Sequence, residues 1–327
     1  MHALKESRML PPKVRRFPLQ KRVLLVMALL ALAVSGCTFQ KMEGGSSEDL
    51  AWSIQQTRDG GYIVAGYSDS TDIPGVTNHG YADYYLLKLD AKGEVDWQQM
   101  EGGSGWDGAY SIQQTRDGGY IVAGLSYSTD IPGVFNHGGQ DYYLLKLDAD
   151  GVVVWQKMYG GSGDDEALSI QQTRDNGYIV AGESSSADIP GVTNHGSDDY
   201  YLLKLDAAGA VVWQKLYGGS GLDMAFSIQQ TRDGGYIVAG ISGSTDIPGV
   251  TNHGGSDDYL LKLDADGVVV WQKLYGGSGW DTAFSIQQTR DGGYIVAGLS
   301  YSTDIPGVFY HGGEDYYLLK LDANGNL

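Results

Sequence analysis

The 327-residue chain has one cysteine, eight prolines and only 22 lysines and arginines against 40 aspartates and glutamates. A single cysteine excludes an intrachain disulfide, so stability has to come from packed apolar surface. The acid excess repels phosphate backbones and anionic headgroups, which argues against nucleic acid as a partner. Beyond residue 37 no stretch of helical length repeats its apolar residues three and four apart, which excludes an α-helical class. The catalytic signatures are missing as well. No serine sits in a nucleophile-elbow motif, and Asp148-Ala149-Asp150-Gly151 opens like a calcium loop but has no distal glutamate.

What the chain has in excess is self-similarity. SIQQTRD recurs at Ser53, Ser111, Ser169, Ser227 and Ser285, a period of 58 residues without slippage, and Thr38 to Leu327 is five such periods. Each copy carries four apolar or alternating runs of strand length, in the first copy Ser53 to Thr57, Tyr62 to Tyr67, Tyr84 to Leu89 and Val95 to Met100. Arg58-Asp59-Gly60-Gly61 and Asp90-Ala91-Lys92-Gly93 are short hairpin turns, because glycine adopts the positive φ they need without a steric cost. A longer loop, Ser68 to Gly80, separates the second and third runs, and Gly102-Gly103-Ser104-Gly105 leads into the next copy.

The fifth copy stops before its last run, and the missing run stands at the other end, since Phe39-Gln40-Lys41-Met42 lies 58 residues before Trp97-Gln98-Gln99-Met100. This phase predicts an all-β, five-bladed β-propeller of four-stranded blades, closed by pairing of the N-terminal and C-terminal strands. Trp97, Trp155, Trp213 and Trp271, with Phe39 in the split unit, are then plugs between blades. A linear solenoid is the competing fold, but it calls for atypical capping units and the copies are alike to the last residue.

GGSGWDGAYSIQQTRDGGYIVAG, followed by STDIPGV and DYYLLKLDADGVVVWQKMYGGSG, resembles the bacterial β-propeller repeat families of secreted and surface proteins, over all of residues 38–327. The resemblance implies the fold and an exported location. LDADGVVVW is also similar to the tryptophan-docking turn of pyrroloquinoline quinone dehydrogenase propellers, which implies the hairpin and not the cofactor. No cofactor or metal is expected. Residues 1–37 read as an export signal, with seven basic residues before or beside the apolar run Val23 to Val34. Val34-Ser35-Gly36-Cys37 resembles the bacterial lipobox, which implies lipid attachment at Cys37 and a lipid-anchored protein of the cell envelope, outside the cytoplasm. Residues 38–327 then form one domain carrying 15 basic and 39 acidic residues.

In a four-stranded meander the long loops and the links between blades share one face. The copies differ there: Glu48, Trp106, Asp164, Leu222 and Trp280 are equivalent, as are Asp69, Tyr127, Ser185, Gly243 and Tyr301, and Thr77, Phe135, Thr193, Thr251 and Phe309. Drift of solvent-exposed positions accounts for this variation about as well as selection for binding does. The aromatic residues Trp106, Trp280, Tyr127, Tyr301, Phe135 and Phe309 tilt the balance toward a recognition face. His79, His137, His195, His253 and His311 complete the candidate face, one per copy; a structural hydrogen bond in the loop, with Asp72 making an Asx turn, suits them better than metal binding. The expected function is a monomeric, non-enzymatic module binding a glycan or a protein. The alternatives are a glycan-active hydrolase, whose carboxylates could come only from Asp164, Asp165, Glu166 or Glu183, and a scaffold without a small ligand.

Overall fold

The computed structural model describes residues 38–327; the apolar run and Cys37, with the expected lipid attachment, lie outside the described residues. Those described are all β, without a helix. The first unit is a meander of β1 (Asp49–Gln56), β2 (Tyr62–Ser68), β3 (Asp83–Leu89) and β4 (Val95–Glu101). The second holds β5 (Asp107–Gln114), β6 (Tyr120–Ser126), β7 (Asp141–Leu147) and β8 (Val153–Tyr159). The third holds β9 (Asp165–Gln172), β10 (Tyr178–Ser184), β11 (Asp199–Leu205) and β12 (Val211–Tyr217). The fourth holds β13 (Asp223–Gln230), β14 (Tyr236–Ser242), β15 (Asp257–Leu263) and β16 (Val269–Tyr275). The last unit has three strands, β17 (Asp281–Gln288), β18 (Tyr294–Ser300) and β19 (Asp315–Leu321). Strands within each sheet pair antiparallel, as in propeller blades, and isolated parallel bridges such as Ala82 to Trp106 link neighbouring units.

Local chemistry explains the meander. Gly60 and Gly93 take φ of 88° and 85° in the two tight turns, and among the described residues the one non-glycine with positive φ is Asn176, which stands where the other copies have glycine. Asparagine is the side chain that tolerates this region best. First strands begin at Asp49 and its equivalents, earlier than the alternating pattern suggests, because a register shift between Ala51 and Ser53 interrupts the alternation.

The core lies between neighbouring sheets. One cluster joins Ile63, Ala65, Tyr84 and Leu86 of the first unit to Ile112, Tyr120 and Val122 of the second, and the pattern repeats along the chain. Trp97, Trp155, Trp213 and Trp271 meet Tyr120, Tyr178, Tyr236 and Tyr294 edge to face at 5.7, 5.9, 5.8 and 5.7 Å, as the plug assignment requires. First strands are tied by SIQQ itself: the Ile112 N–H donates to Ser53 Oγ (3.2 Å) and the Gln114 N–H to Gln55 Oε1 (2.6 Å), with equivalents at every later step. The glutamines therefore join one unit to the next. Lys88 pairs with Asp59 of the facing hairpin turn at 3.0 Å, not with Asp90 beside it in sequence.

Closure is the expectation that fails. Residues 38–43 form no strand, β19 keeps an unpaired edge, and the sheets do not close into a ring. Ile54 is 65% exposed where its equivalent Ile112 is 5%, and Tyr316 is 93% exposed where Tyr84 is fully buried. The phase of a repeat says which strand would complete which sheet. Whether the two ends meet depends on the rotation between packed sheets, which side-chain volume sets.

One step in the array departs from the rest. Tyr84, Tyr142 and Tyr200 each donate their hydroxyl to a main-chain oxygen of the following unit, at 2.8, 2.8 and 2.9 Å. The fourth unit has Asp258 there instead, fully buried, with neither oxygen hydrogen-bonded. Burial pushes its pKa far up, which disfavours the carboxylate form. Restoring the tyrosine with Asp258→Tyr should stabilise the chain by about 1–3 kcal/mol; an unchanged or lower urea midpoint would show that the site has relaxed around the aspartate.

Candidate functional site

The loop face is held by carboxylates that hardly vary. Asp83, at the start of β3, is fully buried and accepts from the His79 main-chain N–H at 2.6 Å and shares Oδ2 with its ring Nδ1 at 2.9 Å. His137, His195 and His253 repeat this with Asp141, Asp199 and Asp257, while His311 stands 3.5 Å from Asp315. The ring partner is thus the carboxylate that opens the following strand. Burial raises the Asp83 pKa, opposed by those histidine hydrogen bonds. Asp72 does not serve an Asx turn alone: its Oδ1 takes the Ser46 N–H of the preceding link at 2.8 Å. Asp130, Asp188, Asp246 and Asp304 clamp Ser104, Ser162, Ser220 and Ser278 in the same way. Histidines and acids here shape the face, and among the described residues no group of three or more His, Cys, Asp or Glu side chains is placed to hold a metal ion.

The variable aromatics stand on this frame in two sets. The second unit carries Trp106, Tyr127 and Phe135, and the fifth carries Trp280, Tyr301 and Phe309. Phe135 and Phe309 are highly exposed and sit edge-on to His137 and His311 at 5.3 and 5.2 Å. Tyr127 and Tyr301 are exposed too, the latter donating its hydroxyl to Glu314. Trp280 is 62% exposed. Trp106 departs from expectation and is half-buried, because Tyr67 of the first unit packs edge-on against it at 5.2 Å. Ile241 occupies the Tyr67 position beside Trp280.

The third unit presents a different chemistry. Glu166 on β9 and Glu183 on β10 are direct cross-strand partners, in a place where the other units pair Leu50 with Tyr67, Gly108 with Leu125, Met224 with Ile241 and Thr282 with Leu299. Glu183 Oε2 is buried without a hydrogen bond. Burial first, then the charges of Glu166, Asp198 and Asp164, push Glu183 up to about 8. Burial also raises Glu166, but a hydrogen bond from Tyr110 of the second unit opposes it. Two facing carboxyls thus have different proton affinities, with Glu183 the more strongly favoured to hold a proton. Sequence comparison finds both glutamates as departures from the repeat. It does not show that they face one another, because their strand pairing runs through a register shift beside Gly182.

No family model matches the chain. The regulatory protein FlaEY of Caulobacter vibrioides is 28% identical over 257 residues, which cover 69% of this chain and 26% of that protein. The chain therefore spans about a quarter of the length of that curated relative. Among solved structures, a protein of unknown function from Bacteroides caccae is similar at 12% identity and a TM-score of 0.46, over 85% of this chain and 79% of that one. A putative exo-beta-1,3-galactanase from Bifidobacterium bifidum is 13% identical with a TM-score of 0.42, covering 87% and 93%. A B. megaterium levansucrase variant gives 12% and 0.38, covering 89% and 87%. Likenesses this loose assign no activity to the chain.

The shifted carboxyls set a pH dependence. A carboxyl whose folded pKa lies above its unfolded value stabilises the fold below the unfolded pKa, and that contribution is lost as pH rises through the folded one. For Glu183 the window runs from the ordinary 4.5 to about 8; Asp165, raised to about 6 chiefly by burial, adds to its lower part. Stability should fall between pH 5 and 8, and Glu183→Gln should remove a few kcal/mol of that fall, to order of magnitude. Urea titrations at both pH values check this, and parallel curves for wild type and variant would contradict it.

Proposed function

We propose that the chain is a non-enzymatic binding module that takes a glycan on its long-loop face. The observation that carries this reading is the set of large aromatic side chains, Trp280, Phe135, Phe309, Tyr127 and Tyr301, left exposed on an otherwise hydrogen-bonded loop frame. Aromatic faces stack on the apolar faces of sugar rings, and carboxylates such as Glu314 can accept from sugar hydroxyls. Similar sets in the second and fifth units would let weak sites gain by avidity on a repetitive target. The location belongs to the same proposal: export and lipid attachment at Cys37, in the cell envelope, supported by Val34-Ser35-Gly36-Cys37.

A second reading has its own observation in the Glu166–Glu183 pair. A protonated and an ionised carboxyl side by side are the equipment of a glycan hydrolase, one to protonate the leaving oxygen and one to activate water or attack. The near-exact repeat elsewhere supplies no other unlike pair of this kind in the third unit's setting.

A glycan array separates these readings. Wild type should bind, and Trp280→Ala and Phe309→Ala should each weaken binding about tenfold or more, or ~1.4 kcal/mol. A blank array would point instead to a protein partner or a scaffold. If hydrolysis of any arrayed glycan is detected, it should disappear in Glu183→Gln and Glu166→Gln, and its survival in both would remove the second reading.

A further inference from the structure

The internal steps of the array share two half-interfaces. In one half, an aromatic residue of a fourth strand lies on the following unit, accompanied by a lysine in every step but the first, where Gln99 takes that place: Trp155 meets Tyr178 at 5.9 Å and Lys157 Nζ donates to Gly209 O at 3.0 Å. In the other, that fourth strand pairs with the third strand of its own sheet, in the first unit Met100 opposite Tyr85 and Trp97 opposite Lys88. Met100 then packs with Ile73 and Tyr85, covered by Val76.

The two ends of the chain each carry one half without the other. Phe39 meets Tyr62 at 5.6 Å and Lys41 Nζ donates to Gly93 O at 2.9 Å, so residues 39–41 already lie on the first unit as a fourth strand would. Met42, the equivalent of Met100, is 97% exposed. At the far end β19 has no fourth strand, and Ile305, Val308 and Tyr317 border a cavity of about 270 Å³. These three are the equivalents of Ile73, Val76 and Tyr85, which hold Met100 in the first unit. One end has the methionine without its pocket, and the other has the pocket without its methionine.

We propose that a second copy of this chain docks head to tail on the fifth unit. Its N-terminal segment adds to β19 as the fourth strand, with Met42 opposite Tyr317 in the empty cavity and Phe39 opposite Lys320, in the register that joins β3 to β4. Its first unit brings Ile54 against the exposed Ile295 and Leu318, the contact that Ile112 makes with Ile63 and Leu86 inside the chain. The Ile54 and Gln56 N–H groups then meet Ser285 Oγ and Gln287 Oε1, repeating the bonds that Ile112 and Gln114 make to Ser53 and Gln55. A second copy is the occupant because, among the described residues, both faces stand open and complement each other residue for residue. The contact is heterologous, so it can propagate or close into a larger ring. It replaces the sequence-based expectation of a monomer.

Sedimentation of the purified chain over a range of concentrations tests this, with Leu318→Lys blocking the far end and Ile54→Lys the near end. Both residues are exposed in the single chain, and circular dichroism checks that each variant folds. Wild-type mass should rise with concentration, each variant alone should stay a monomer, and an equimolar mixture of the two should form a dimer and nothing larger. If a variant does not fold, Met42→Ala should still lower the wild-type association at least tenfold. A wild type that stays monomeric throughout, or a mixture that forms no dimer, overturns the proposal. So does a monomer whose melting temperature falls in both variants, since that result means one chain closes on itself.

Discussion

A side-chain oxygen bonded to a neighbour's main chain holds this array together. Gln55 Oε1 takes the Gln114 N–H at 2.6 Å, and Gln113, Gln171 and Gln229 do the same for the units that follow. A first strand has one edge in its own sheet, and its other edge would otherwise carry unpaired N–H groups into the centre. The glutamine and the serine two residues before it satisfy that edge with the adjacent unit. This accounts for the constancy of SIQQT in all five copies: changing either residue would orphan a donor in the next unit, at about 1–3 kcal/mol each. The apolar clusters between sheets supply area, but these bonds fix the spacing at which the area meets.

Where the repeat is broken, the chemistry changes. Glu166 and Glu183 put a carboxyl pair where other units place apolar residues, and the Tyr-to-Asp change at 258 leaves a buried acid without a partner. The two breaks are physically different. Glu183 faces a second acid across two strands and is only partly buried, while Asp258 is fully buried without a hydrogen bond. The first is a candidate for function and the second a cost to stability.

Much of this was legible in the sequence because it is local. Glycine spacing gave the hairpins, strand-length apolar runs gave the sheets, and the tryptophan of each fourth strand marked the plug against the next unit. Residues whose setting depends on a neighbouring unit were harder to read. Trp106 and Trp280 are equivalent in sequence, yet Tyr67 covers one and no aromatic covers the other. Ring closure failed for a related reason, since the phase of the repeat says that residues 39–42 complete a sheet but not whose sheet it is. Phe39 packs on Tyr62 as the plug reading expects, but residues 38–43 form no strand and pair with no sheet.

The central claim is that contact between first strands organises the molecule and that a single chain leaves this contact unmade at its first unit. Amide hydrogen exchange, resolved by residue in protein diluted below any self-association, tests it directly. Gln114, Gln172, Gln230 and Gln288, whose N–H groups bond a neighbouring glutamine, should exchange slowly, and Gln56, whose equivalent position faces the open end, should exchange fast. Protection of Gln56 equal to that of the other four would contradict the account, because it requires a covering unit that the open chain does not have.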